Sequence, residues 1–557
     1  MGIPSYYKKL LETVPALIRK SHPGISSDGI AWLFMDFNCL IYHCLYREDT
    51  PSYYGNDRKD EWEAEFLECV VNYCLKVIKE VNPTEGVYIA IDGVVPMAKM
   101  RQQRLRRFKS SWESRVKTKS AAKSDADGEE TKEKWDRNAI TPGTRFMEKL
   151  AESLQEMIRK HGKKSWALSS SAEPGEGEHK IIAEWRRRGK SSRGGNYAVY
   201  GLDADLIVLS MLGQELCGLS NDIWLFREEV NAGKMSYTED GEEIFEWFSV
   251  NSLRDWLCAP FLRDAVSRRN FLLSYCFSMS VLGNDFLPSS LGLKIRDDGH
   301  DELLEIVRGI VGRGETLIDS DTLEISLFGL SSLFRILQDT EEPRLEKYLN
   351  RKTYLAYQFA RGGKDGDGTP LEMCVGENNW PLAKVEEEFL LKDRKLVSDW
   401  REKYLQVFFS EKLGKICKEY LYGIQWIWAY YNGDWDKICF NWFYPYSLPP
   451  LWSWLYTCMT DGDGLCEFPG SVHIRASDIS PVEQLALVLP IESWSLLPAG
   501  LEKELPYLAP QYFPSQFGFE SAGKRYFWEC ESLIPLPTVL ELKQIISWRK
   551  GASEMSS

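Results

Sequence analysis

Acidic residues that directly follow apolar runs are the feature of this sequence with the most chemical content. Ala31-Trp32-Leu33-Phe34-Met35 runs into Asp36, Gly86-Val87-Tyr88-Ile89-Ala90-Ile91 into Asp92, and Ala198-Val199-Tyr200-Gly201-Leu202 into Asp203. Two tight pairs, Glu176 with Glu178 and Asp203 with Asp205, enlarge the set, and Asp285 stands in Leu282-Gly283-Asn284-Asp285-Phe286. Carboxylates brought together repel one another and rise in pKa, so such a group is unfavourable without a cation. Mg²⁺ takes oxygen ligands, often a few carboxylates with water and phosphate. Two such ions roughly 3.5–4 Å apart can activate water and stabilise the leaving oxygen of a phosphodiester. Each acid by itself reads as a loop cap at a strand end, and spacing leaves the metal site and the caps equally open.

A basic segment follows the second of these acids. From Lys99 to Lys119 the only acid is Glu113, in a chain whose net charge is −14. The acidic average speaks against a non-specific nucleic-acid binder, whereas the local strip is a focused field. Helical spacing puts Lys99, Gln103, Arg106 and Arg107 on one face. Guanidinium forks and an ammonium on one face suit a terminal phosphate. Lys99 lies seven residues after Asp92, so a phosphate held there would sit near the acids. The same residues also read as a solvated basic face or as general RNA-backbone contacts.

The apolar runs must be the elements that position these groups. Short runs rich in β-branched and aromatic residues read as buried strands, and helical patterns such as Glu65 to Glu80 separate them. Alternation of this kind predicts an α/β fold with a mainly parallel sheet flanked by helices. Ligands of such folds bind beyond the carboxyl ends of the strands, which places Asp36, Asp92 and Asp203 on one sheet edge. The length of 557 residues implies one large composite fold or two to three domains.

Val116 to Arg137 is polar and reads as a solvated loop or mobile linker, Val385 to Gln425 as helical, and Trp426 to Trp454 as aromatic-dense. A composition shift falls at Arg361 to Gly368, and Gly551 to Ser557 reads as a frayed tail. The 13 cysteines contain no Cys-x-x-Cys pair and histidine numbers six, which fits reduced thiols and leaves few zinc ligands. No signal peptide or membrane-spanning run is visible, so an intracellular protein is expected, cytoplasmic rather than nuclear. Arg186-Arg187-Arg188-Gly189-Lys190 reads as a nuclear signal or as the commoner basic helix end.

Taken in order, the motifs closely resemble the eukaryotic 5′→3′ exoribonuclease (XRN) family. They are Met1-Gly2-Ile3-Pro4-Ser5-Tyr6-Tyr7, Met35-Asp36-Phe37-Asn38, Ala90-Ile91-Asp92-Gly93-Val94-Val95-Pro96 with Lys99 to Phe108, and Ile140-Thr141-Pro142-Gly143-Thr144. Pro174-Gly175-Glu176-Gly177-Glu178-His179-Lys180, Tyr200-Gly201-Leu202-Asp203-Ala204-Asp205 and Gly283-Asn284-Asp285-Phe286-Leu287-Pro288 complete the run. A weaker likeness continues in Tyr422-Gly423-Ile424-Gln425-Trp426, Pro481-Val482-Glu483-Gln484-Leu485 and Gly523-Lys524 to Trp528.

The resemblance implies a PIN/FEN-like nuclease core over 1–300, a variable connection over 301–384, a largely helical second region over 385–550 that closes the site, and a tail over 551–557. It implies a compact member without the family's long C-terminal extension. Asp36, Asp92, Glu176, Glu178, Asp203, Asp205 and Asp285 would be catalytic and metal-binding, with two Mg²⁺ ions for which Mn²⁺ can substitute. Lys99, Gln103, Arg106 and Arg107 would hold a 5′-monophosphate. The expected activity is processive 5′→3′ hydrolysis of single-stranded RNA to nucleoside 5′-monophosphates, by a monomer without membrane attachment. Where the family commonly has a base-stacking His, this chain has Tyr42, followed by His43. A second stacking aromatic falls at Trp435, with Ile438 and Phe440 as the competing positions. The rival expectations are a flap-type, structure-specific DNA nuclease and a non-catalytic RNA-binding scaffold.

Overall fold

Strand β2, Ile30–Asp36, is buried on both faces and sets the plan of the molecule. Its side chains alternate as a pleated strand requires: Trp32 and Phe34 enter one core, Leu33 and Met35 the other. A strand covered on both sides reads as an unbroken apolar run rather than an alternating one. The computed structural model describes residues 3, 5–20, 22, 29–124, 133–189, 195–201, 203–231, 234–261, 264–361, 382, 387–461, 474–501, 505 and 509–545.

The other strands of the main sheet are β1 (Ile18–Arg19), β3 (Gly86–Ala90), β4 (Ala167–Ser169), β5 (Asn196–Tyr200), β6 (Ile223–Glu228) and, beyond a small hairpin of β7 (Val230–Asn231) and β8 (Lys234–Met235), β9 (Phe245–Ser249). Their order is β1-β9-β6-β5-β2-β3-β4. The five strands from β6 to β4 are parallel; β9 joins β6 antiparallel at one end, and β1 pairs antiparallel with β9. Register aligns Asp36 with Ala90 and Met35 with Tyr200, so three adjacent strands finish at one level.

Helices α1 (Tyr6–Thr13), α2 (Asn38–Leu45), α3 (Lys59–Val81), α4 (Met97–Ser124), α5 (Arg145–His161), α6 (Gly177–Arg188) and α7 (Asp205–Cys217) alternate with the strands. Residues of α2, α3 and α5 cover one face, and residues of α6 and α7 the other. The long helix Leu413–Asn432 packs into the core that holds Trp32 and Phe34, through Leu421, Trp426 and Ile427. The fold is therefore α/β with a mainly parallel sheet, and a largely helical second region packs on it. No helix among the described residues is long and apolar enough to cross a membrane. The cysteines among the described residues are free thiols.

Two local expectations are corrected. Helix α4 runs to Ser124, into the segment read as a polar loop from Val116. Lys, Ala and Arg are good helix formers, so polarity alone does not end a helix. Residues 125–132 lie outside the described residues, as do 362–381 and 546–557. Val385 to Gln425 is not uniformly helical. A hairpin, Leu391–Lys392 with Lys395–Leu396, interrupts it. Its turn residues Asp393 and Arg394 both have positive φ, 52° and 65°, the geometry of a two-residue type I′ turn.

Phe34 is fully buried, and its ring meets Tyr197 at 5.2 Å and Trp185 edge-on at 5.7 Å. Phe34→Ala will destabilise the fold by about 3–5 kcal/mol, read by chemical denaturation; a loss under 1 kcal/mol would contradict this packing.

Candidate active site

The site grows from the strand ends. Asp36 closes β2, Asp92 lies two residues past β3, and Asp203 and Asp205 follow β5 at the start of α7. Glu176 stands at the position just before α6, with Glu178 in the first turn of that helix. Asp285 comes in the loop after the 3₁₀ turn Met279–Leu282. Glu176, Glu178 and Asp205 are buried, Asp36, Asp92 and Asp285 half-buried, and Asp203 exposed.

Backbone and neighbouring side chains fix this set. The Gly177 N–H donates to Asp92 at 2.7 Å, and Asn38 donates to the other Asp92 oxygen at 2.9 Å. The helix N-terminus thus points its positive end at a carboxylate. Lys180 donates to the carbonyls of Ile91 (2.6 Å) and Ser170 (2.8 Å), tying α6 to the strand ends. Glycine at 177 leaves Asp36 its place: a Cβ there would lie 2.5 Å from Asp36 Oδ1 and 3.0 Å from the Ala90 carbonyl, so a side chain would displace that carboxylate.

The balance of charge is strongly negative. Lys99 Nζ stands 2.5 Å from Glu176 and 2.9 Å from Asp285, bridging the two. Burial disfavours its charge, but Asp285, Glu176, Glu178 and Asp205 outweigh burial and hold the ammonium protonated. Burial, then the neighbouring acids, drives the carboxyls of Asp36 and Glu178 well above their ordinary range. Asp205 is pushed up to about 7 by burial and Asp203, and its Oδ1 has no hydrogen-bond partner. Ligand atoms of Glu176, Glu178 and His179 lie within 4.8 Å of one another. Oxygen donors crowded beyond the reach of one lysine fit a hard divalent cation.

A cavity of about 890 Å³ joins these acids to α4. Asp36, Asp92, Glu176, Glu178, Asp203 and Asp285 line it, as do Lys99, Gln103, Arg106 and Arg107. Asp205 is buried and is not among the lining residues. Gln103 and Arg107 are buried, and Gln103 Oε1 and Arg107 Nη1 lack partners. Burial lowers the Arg107 guanidinium to about 10. Tyr42 and His43 also line the cavity. Trp435 does not; its half-exposed ring packs edge-on against Tyr430 at 5.6 Å. Ile438 and Phe440 are buried in the core.

Sequence reasoning missed Tyr430 and His179. Tyr430 OH donates to Glu176 at 2.7 Å, a contact from the second region to the acids. The His179 ring packs 4.0 Å from the Tyr430 ring, and burial lowers its pKa to about 4, so the imidazole is neutral. Tyr430 stands four residues after Trp426 on one helix face, in a stretch whose aromatic density reads as core.

Carboxylates at the carboxyl edge of a parallel sheet, facing a buried guanidinium with an unpaired nitrogen, define a site suited to phosphate esters and divalent cations. A family model described as the XRN 5′-3′ exonuclease N-terminus matches residues 1–228, and one described as the Xrn1 helical domain matches 383–546. The chain is 27% identical to 5′-3′ exoribonuclease 1 of Homo sapiens over 96% of its own length and 33% of that protein's. It is 26% identical to 5′-3′ exoribonuclease 2 of Gallus gallus, over 96% of this chain and 68% of that one. With 5′-3′ exoribonuclease 2 of Schizosaccharomyces pombe it shares 32% identity over 60% of this chain and 38% of that one. The chain belongs to the XRN 5′-3′ exonuclease family.

The raised pKa of Asp205 fixes the sign of a pH effect. Between the ordinary 3.8 and about 7 the folded protein holds a proton that the unfolded chain releases. That stabilisation is complete below the ordinary value and is lost as pH rises through about 7. Metal-free protein will therefore melt at a higher temperature at pH 6 than at pH 8. Added Mg²⁺ will raise Tm more at pH 8 than at pH 6; calorimetry showing the opposite order in both comparisons would contradict the crowded-acid reading.

Proposed function

We propose that this chain is a metal-dependent exoribonuclease that hydrolyses single-stranded RNA from a 5′-monophosphate end in the 5′→3′ direction, processively, releasing nucleoside 5′-monophosphates. The observation that carries this reading is the single cavity that joins the carboxylate group to Lys99, Gln103, Arg106 and Arg107.

In this reading Asp36, Asp92, Glu176, Glu178, Asp203, Asp205 and Asp285 hold two Mg²⁺ ions. Bound divalent cations supply Lewis-acid polarisation and an activated water. The Gly177 N–H and Asn38 orient Asp92, whose carboxyl burial and Glu176 hold above its ordinary range, and Tyr430 fixes the rotamer of Glu176 through their hydrogen bond. Arg107 offers its partnerless Nη1 to the terminal phosphate, Gln103 lines the same cavity with a side-chain amide whose N–H can donate, and Arg106 adds charge at the rim. A pocket built for one phosphate rejects a triphosphate by size, and a 5′-hydroxyl leaves Arg107 buried and uncompensated. Tyr42, on the cavity wall, stacks on the first base, since every base presents a π-face.

End chemistry separates this function from a flap-type nuclease. In a time course with Mg²⁺, RNA carrying a 5′-monophosphate will be degraded at least tenfold faster than RNA with a 5′-hydroxyl or triphosphate, and without Mg²⁺ none will be degraded. Equal rates for all three ends would sink the proposal. Asp205→Ala will abolish cleavage with the fold retained. Arg107→Ala will lower kcat/KM for 5′-monophosphate RNA by about 10–100-fold, the worth of a charge-assisted hydrogen bond, with little change for the 5′-hydroxyl substrate.

A further inference from the structure

A second cavity, of about 470 Å³, lies on the other side of α4. That volume is in the range of small-molecule sites, roughly 300–1,000 Å³. The two cavities share a wall: Gln102, Arg106 and Asp285 line both. Helical spacing explains the division. Lys99, Gln103 and Arg107 turn to the acids, while Arg101, Leu105 and Lys109 turn to the second cavity.

Its chemistry is that of an anion site. Arg101, Arg106, Lys109, Lys294, Arg296 and Lys524 outnumber the carboxylates of Asp285, Glu529 and Glu531, in a chain of net charge −14. Carbonyl groups hold two of the ammoniums: Lys109 donates to Cys530 O at 3.0 Å and to Phe527 O, and Lys294 donates to Gly523 O at 2.5 Å. Carbonyl dipoles orient these charges without neutralising them. Burial accordingly lowers the pKa of Lys109, and that of Lys294 to about 7, which an anionic ligand would reverse.

The same cavity has an aromatic platform. The Trp528 ring is 38% exposed and lies 12° from parallel to Tyr526, and the Arg296 guanidinium is 5.3 Å and 5.4 Å from the two ring centres. An exposed indole steadied by a cation offers a face for a nucleobase.

We propose that this second cavity binds a nucleoside 5′-monophosphate, its base on Trp528 and its phosphate among Lys109, Lys294 and Lys524. Its identity as the released product rests on the exonuclease reading above. A freed nucleotide carries its charged phosphate away from a cavity walled by carboxylates, and the adjoining positive cavity is a lower-energy place for it. The limited volume and the carboxylates of Asp285, Glu529 and Glu531 suit one phosphate better than a polyanionic strand.

The test is equilibrium dialysis of labelled adenosine 5′-monophosphate against the full chain, without divalent cations, in an Arg107→Ala background that weakens the first cavity. A site will remain in that background. Lys524→Glu and Trp528→Ala will each weaken it at least tenfold with Tm and circular dichroism kept, and unphosphorylated adenosine will bind at least tenfold more weakly. Affinity unchanged in both variants would overturn the proposal. So would inorganic phosphate binding as tightly as the nucleotide, or a 5′-hydroxyl oligoribonucleotide competing better than the nucleotide itself. If one variant fails to fold, the other decides. Dialysis reads binding alone, so failure here and failure of end-selective cleavage are separate results.

Discussion

Like charges held at one sheet edge are the constraint on which the rest of the structure depends. The parallel strands β2, β3 and β5 end in register, and each delivers an aspartate to the same place. Glu176 and Glu178 arrive on α6, and Lys99 is threaded between Glu176 and Asp285. Mutual repulsion in a half-dry pocket costs stability, so the surroundings must over-determine each position. The α6 N-terminus grips Asp92, Lys180 clamps α6 to the strand ends, and Tyr430 reaches across from the second region to Glu176. These contacts hold the acids together without neutralising them, which keeps the group open to a cation.

Helix α4 converts that arrangement into a directed one. Its residues divide by angular position into a face toward the acids and a face toward the second cavity. A third direction is structural: Arg104 is fully buried and donates to the carbonyls of Leu487 (2.6 Å), Pro535 (3.2 Å) and Tyr512. The basic strip of the sequence is thus three sets of cations with different surroundings, and its dense positive charge is only partly a surface.

The strand ends, the parallel sheet and the acids along its edge were legible in the sequence because each rests on a local pattern: an apolar run, its length, and the residue that stops it. The convergence of Lys99, Gln103, Arg106 and Arg107 on one cavity was legible for the same reason, helical spacing. Tyr430 was not, because an aromatic that hydrogen-bonds a carboxylate 254 positions away has the same local pattern as one that only packs. Lys109 and Arg104 were hidden likewise, since nothing in α4 marks which cations are met by carbonyls. The hairpin at Asp393 and Arg394 was missed because their positive φ angles come without glycine or asparagine.

The buried Arg104 bears on how the chain can be divided. Its partners Leu487, Tyr512 and Pro535 all lie in the second matched region, while Arg104 itself lies in the first. Nearby, the Val95 N–H donates to Gln484 and the Met97 N–H to the Phe440 carbonyl. A fragment ending before the second region would leave a guanidinium and two amides facing water where protein carbonyls and an amide oxygen had been. The two matched regions are therefore joined through buried hydrogen bonds around α4. A nicked or split version would have to reassemble across α4 before the acids could be held in place.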